Sequence, residues 1–81
     1  MLKATVEVRL KRGVADPEGD NTLKALNLLG FSRVAAVRFI KVFEVDLEEE
    51  DEGKAEEMLE TMCRKLLANP VIHEYSIHLL H

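Results

Sequence analysis

The chain has 81 residues, 47% apolar and 32% charged, the size of one small domain with a thin margin of stability that association with other chains would widen. Its net charge of −4 argues against nucleic acid or an anionic membrane as partner, and no apolar run approaches the roughly 20 residues that span a bilayer. A single cysteine excludes an internal disulfide framework and fits a reducing compartment, with the cytoplasm as the default location.

Leu2, Ala4, Val6, Val8 and Leu10 alternate with Lys3, Thr5, Glu7, Arg9 and Lys11, the period-two pattern of a strand with one wet face. A signal peptide would need an unbroken apolar core here instead. The loop from Gly13 to Asp20 reads as a turn leading into a helix. Pro17 fixes φ, Gly19 permits an unusual backbone angle, and Asp20 or Asn21 caps the helix. Thr22, Ala25, Leu26 and Leu29 then share a helical face that Leu23 and Leu28 widen, and Gly30 supplies a left-handed stop before Phe31.

From Val34 to Leu47 the pattern is β again. Val37, Phe39, Phe43, Val45 and Leu47 share one parity, interrupted by Lys41, while Ala36, Ile40 and Val42 lie on the other side. No turn residue divides the run. It is either one strand of about 14 residues, against a usual length of about 5–6, or two strands joined near Ile40–Lys41. One strand of that length would project past its own sheet with apolar residues on both faces, so a second chain is the expected cover.

The acidic run from Glu48 leads into a helix whose N-terminal end favours carboxylates. Ala55, Met58, Leu59, Met62, Cys63, Leu66 and Leu67 recur at helical spacing, Asn69-Pro70 ends the helix, and Val71 to Leu80 alternate as a last strand. The order β-α-β(β)-α-β defines an α+β fold related to the ferredoxin-like arrangement. It is an antiparallel sheet with two helices on one face and a long central strand shared in an oligomer, in a single domain over 1–81.

Sites of chemistry are scarce. Asp16, Glu18 and Asp20 alternate like the early ligands of a calcium loop, but Asn21 and Asn27 stand where that motif needs Gly and a bidentate Glu. Gly13 and Gly19 form no phosphate-binding motif, and two carboxylates lie between them. His73 and His78 point to opposite faces of one strand, and His73 and His81 are about 26 Å apart at strand rise. Cys63 falls on the apolar stripe of the second helix, as a buried, inert thiol does. Phe39 and Phe43 share the parity of the core face, which leaves no aromatic platform for single-stranded RNA. The residues define no catalytic, cofactor or metal site.

Three stretches taken together, "VEVRLKRGVADPEGDNTLKALNLLGF", "VAAVRFIK" and "MCRKLLANPVIHEYSI", resemble the PurS family, the small subunit of phosphoribosylformylglycinamidine synthase. The resemblance implies a complex that converts formylglycinamide ribonucleotide, glutamine and ATP to formylglycinamidine ribonucleotide in purine biosynthesis. It implies a non-catalytic chain that bridges a glutaminase subunit, PurQ, and a synthetase subunit, PurL, and assists ammonia transfer. ATP and Mg are expected on the synthetase, with no cofactor on this chain, and self-association is expected as a dimer or tetramer. The residues expected at a partner interface are Lys11, Arg12, Asp16, Arg38 and Lys41. Position 40 departs from the family pattern: Ile stands where Gly is common, and Ile favours a straighter strand. A different class of function, an ACT-like small-molecule sensor, shares the βαββαβ plan, and the "GVADPEG" loop after the first strand is the feature that would mimic it.

Overall fold

The computed structural model describes residues 1–80; His81 lies outside the described residues. Three strands, β1 (Leu2–Leu10), β2 (Lys41–Leu47) and β3 (His73–Leu80), form one antiparallel sheet in the order β2-β1-β3. β1 is therefore central, with Leu2 opposite Leu47 and Val8 opposite Lys41 on one side, and Lys3 opposite Leu80 and Leu10 opposite His73 on the other. The pairing follows from the alternation. It brings Ala4, Val6 and Val8 onto the same face as Phe43, Val45, Leu47, Tyr75, Ile77 and Leu79.

Helix α2 (Glu52–Met62) lies on that face and buries Ala55 and Leu59 completely. Asp51 caps it, accepting a hydrogen bond from the Lys54 amide at 3.0 Å, so the acidic run does serve as a helix start. After Met62 the helix widens into a π turn, Cys63–Leu67, closed by Ala68 N–H donating to Cys63 C=O at 3.0 Å. The sequence pattern puts both Leu66 and Leu67 on the buried stripe. The wider turn rotates the register instead, so Leu66 is 83% exposed and Ala68 is buried in its place. The opposite sheet face is open and polar, laced by exposed pairs such as Lys3 with Glu44 at 3.4 Å, which contribute little each.

Helix α1 (Pro17–Leu28) stands apart from this core. No α1 side chain belongs to the buried cluster, and Leu28 and Leu29 are exposed. The two-helix layer read from the sequence thus forms only in part within one chain: α2 covers the sheet, and α1 projects beyond it. The radius of gyration is 16.3 Å with extents of 50 × 26 × 14 Å, against about 12 Å for a compact domain of this length. α1 ends in a Schellman motif, with Phe31 N–H donating to Leu26 C=O, Gly30 N–H to Asn27 C=O, and Gly30 at φ 99°.

The run from Val34 divides where the second of its two readings divides it. Ladder pairing starts at Lys41, and residues 34–40 form an arm without strand partners in this chain. The β1–β2 ladder stops at Val8–Lys41 although β1 continues through Arg9 and Leu10, which pair only with β3, so the far side of β2 and the arm before it have no strand partner in this chain. β2 is consequently an edge strand, with β1 at the centre. Phe39, expected in the core, is 48% exposed on the arm, whereas Phe43 packs against the core.

Candidate functional site

The loop after β1, the start of α1 and the arm meet at Asp16. This residue, not Asp20 or Asn21, caps α1, with Pro17 at the first helical position, where its fixed φ fits and its missing N–H costs nothing. Asp16 Oδ1 accepts from Gly19 N–H at 2.9 Å, and Oδ2 accepts from Phe39 N–H at 2.9 Å. These two bonds, the Phe39 one foremost, hold its carboxyl below the ordinary aspartate value. One carboxylate therefore ties the helix start to the arm.

Gly19 has a different role from the one its type suggests in a turn. Its φ is not in the left-handed region, and it is buried inside the helix. A β-carbon there would fall well inside 3.0 Å of the Val37 carbonyl oxygen and 2.9 Å from Asp16 Oδ2. Glycine is needed so that the arm can lie directly on α1. A glycine inside a helical pattern, at a cost in propensity, is the signal that marks such a close approach.

Between loop and arm runs a cleft of about 750 Å³, and Lys11, Arg12, Asp16 and Arg38 all line it. Lys41, the fifth residue expected at an interface, stands outside the cleft as the first residue of β2, opposite Val8. Lys11 is engaged within the chain: its Nζ donates to Pro70 C=O at 2.7 Å and its backbone N–H to Ile72 C=O at 2.8 Å. Arg12 and Arg38 are exposed and form no ion pair among the described residues. Ile40 lines the same cleft with no positive φ, so the β-branched side chain is carried without backbone strain. Asp16, by contrast, already has both carboxylate oxygens occupied.

An apolar surface at the end of α1, absent from the expected interface, adjoins the apolar arm for which the sequence pattern predicts a second chain as cover. Leu28, Leu29 and Phe31 at the end of α1, with Phe39 and Ile40 on the arm, are all exposed. The width of the α1 apolar arc was the available signal: a helix with leucines at 23, 26, 28 and 29 needs more than one covering neighbour.

Elsewhere the chemistry is quiet. Cys63 is fully buried, and burial, followed by the Glu60 charge, pushes its thiol above the ordinary value. Tyr75 Oη donates to Glu60 Oε2 at 2.8 Å, and that bond raises the phenol. His73 lies on the core side of β3 at its first position, and His78 points to the open face, 3.8 Å from Glu7. Among the described residues no group of three His, Cys, Asp or Glu side chains could hold a metal, and no helix is long and apolar enough to cross a membrane.

The class that the fold defines is a small α+β domain, a sheet backed by one helix with a second helix and an arm that carry exposed guanidinium groups and apolar side chains. Comparison with known proteins gives the domain its family. Residues 3–81 match PurS, described as phosphoribosylformylglycinamidine (FGAM) synthase. A PurS subunit from Archaeoglobus fulgidus is 58% identical over 74 residues, covering 91% of this chain and 92% of that protein. The crystal structure of Methanocaldococcus jannaschii PurS superposes with a TM-score of 0.88 at 50% identity, over 99% of this chain and 96% of that one. The structure of PurLQS from Thermotoga maritima contains a chain that matches with a TM-score of 0.87 at 30% identity, over 98% of this chain and 96% of that one. The chain belongs to the PurS family. This membership favours the subunit over the small-molecule sensor, and the α+β class with a ferredoxin-related sheet and two helices agrees with these structures.

Proposed function

We propose that this chain is an accessory subunit of phosphoribosylformylglycinamidine synthase in purine biosynthesis, acting as one domain over residues 1–81. The match to PurS over residues 3–81 carries the reading. In this role the chain contributes no catalytic residue. It joins a glutaminase, PurQ, to an ATP- and Mg-using synthetase, PurL, and assists the passage of ammonia from one to the other. The complex belongs to the cytoplasm, and the chain functions there as a dimer or tetramer.

The proposed docking surface is the cleft edge formed by Lys11, Arg12 and Arg38, with Lys41 beside it at the start of β2. Arg12 and Arg38 are exposed without carboxylate partners of their own. Guanidinium groups in that state bind carboxylates of another chain through paired N–H donors. Asp16 supports the surface from beneath by holding the arm to α1. The bare side chains of Leu28, Leu29, Phe31 and Phe39 supply apolar area that charged groups alone do not.

Size-exclusion chromatography of this chain with the synthetase and glutaminase subunits from the same source tests the surface. Arg12→Glu with Arg38→Glu is the informative pair, because Lys11 also holds the chain's own turn. The double variant is expected to stay folded and to leave the complex, with wild-type binding weakening as salt rises. Co-elution of the folded double variant with both subunits at wild-type strength would remove these residues from the interface.

A further inference from the structure

The turn that follows the π segment is closed by a ring nitrogen. Asn69 N–H donates to His73 Nδ1 at 2.9 Å, and His73 N–H donates back to Asn69 C=O at 2.8 Å. Ile72 N–H donates to the same carbonyl at 3.1 Å, and Val71 N–H to Asn69 Oδ1 at 3.0 Å. Lys11 is fastened to this turn twice, through its backbone N–H on Ile72 C=O and its Nζ on Pro70 C=O. The turn therefore holds the first residue of the loop that carries Arg12.

We infer that His73 is a proton-sensitive latch, whose neutral ring closes the Asn69–Ile72 turn and whose protonation opens the turn and frees the Lys11 end of the first loop. Only a neutral imidazole with its proton on Nε2 offers a lone pair at Nδ1; the imidazolium has a donor at both nitrogens. Protonation sets an N–H of the ring against the N–H of Asn69, so one of the two must turn away. Asn69 supplies every other acceptor inside the turn, and its displacement disturbs the bonds to Val71, Ile72 and His73 together.

The charged groups on the surrounding elements leave the ring without a fixed carboxylate partner. Just past the end of β1 the neighbour is Lys11, whose ammonium is committed to Pro70 C=O. Leu10 lies directly opposite His73, and Arg9 lies opposite Glu74. Glu74 itself, next in β3, is exposed on the other face by strand alternation. Arg64 and Lys65 on the π turn are exposed. The inference goes beyond the assembly role, because the latch belongs to the fold of the chain by itself.

Backbone and ring NMR on the isolated chain tests it, with His73→Asn as the comparison, since the Asn side-chain oxygen takes nearly the place of Nδ1 and does not titrate. In the wild type, the Asn69 amide resonance is expected to move with the same midpoint as the His73 ring. Its exchange protection, corrected for intrinsic rate, should fall about fivefold to tenfold as the ring gains its proton. The Lys11 amide should follow, while the Val6 amide at the sheet centre stays protected. In His73→Asn all of these should be flat across the same range. An Asn69 amide that ignores the ring's titration, or that changes equally in His73→Asn, would overturn the latch.

Discussion

Replacing Gly19 by Ala tests the unit built from α1 and the arm. In an ordinary helix the change is favourable by about 1 kcal/mol, because alanine loses less backbone freedom than glycine. Here the new methyl would lie well inside 3.0 Å of the Val37 carbonyl oxygen and 2.9 Å from Asp16 Oδ2. The first obstacle is a backbone atom, which cannot rotate away as a flexible side chain would, so the arm itself must retreat. Overpacking of this kind costs about 1–3 kcal/mol, and the retreat also draws Phe39 N–H away from Asp16. The expected net result is a loss of about 1–2 kcal/mol in the closure of the arm on the helix, a fivefold to thirtyfold fall in protection. Hydrogen exchange at the Phe39 amide reads this directly. Urea unfolding followed at the sheet should change little, since no α1 side chain enters the core. A Phe39 amide as protected as in the wild type, with stability raised by about 1 kcal/mol, would refute the close approach of Val37 to Gly19.

Other consequences separate the core from the projecting parts. Leu59→Ala, at a fully buried site, should cost about 2–5 kcal/mol in urea or thermal unfolding, while Leu66→Ala, 83% exposed, should be nearly neutral despite sharing the same sequence stripe. For Asp16, the folded carboxyl titrates below its unfolded value near 3.8, so its clasp is fully present at neutral pH and is lost only as pH falls through the lower folded value. Asp16→Asn should abolish that acid dependence, as shown by Phe39 amide exchange between mildly and strongly acidic pH. Cys63, fully buried with its thiol pushed upward, should react with a disulfide reagent at neutral pH only as fast as the fold opens, and at the rate of a free thiol in denaturant.

The core was legible in the sequence because its periods are unbroken. Ala4, Val6 and Val8 alternate without interruption, and Ala55, Leu59 and Cys63 keep helical spacing up to the π turn. Beyond Cys63 the same spacing misplaced Leu66, since a single wide turn rotates everything after it and leaves no mark in hydrophobicity. The arm was legible only as an ambiguity. Val34–Ile40 carries the composition of a strand, and composition cannot say whether a neighbouring strand exists. The sequence points to Asp20 or Asn21 as the cap although Asp16-Pro17 is the stronger start signal, because a glycine at position 19 reads as part of a turn while the structure has it inside the helix. Four of the five charged residues expected at an interface do converge on one cleft. Sequence could not reveal that Asp16 and Lys11 are bound within the chain, because their partners, Phe39 and Pro70, are 23 and 59 residues away.

Amidine formation by the reconstituted synthetase and glutaminase subunits, with and without this chain, tests the central claim most directly, comparing glutamine with free ammonia as nitrogen donor. An accessory subunit that couples two active sites should be required when glutamine is the donor and should be bypassed when ammonia is supplied. Equal rates with glutamine in the presence and absence of the chain would contradict that role.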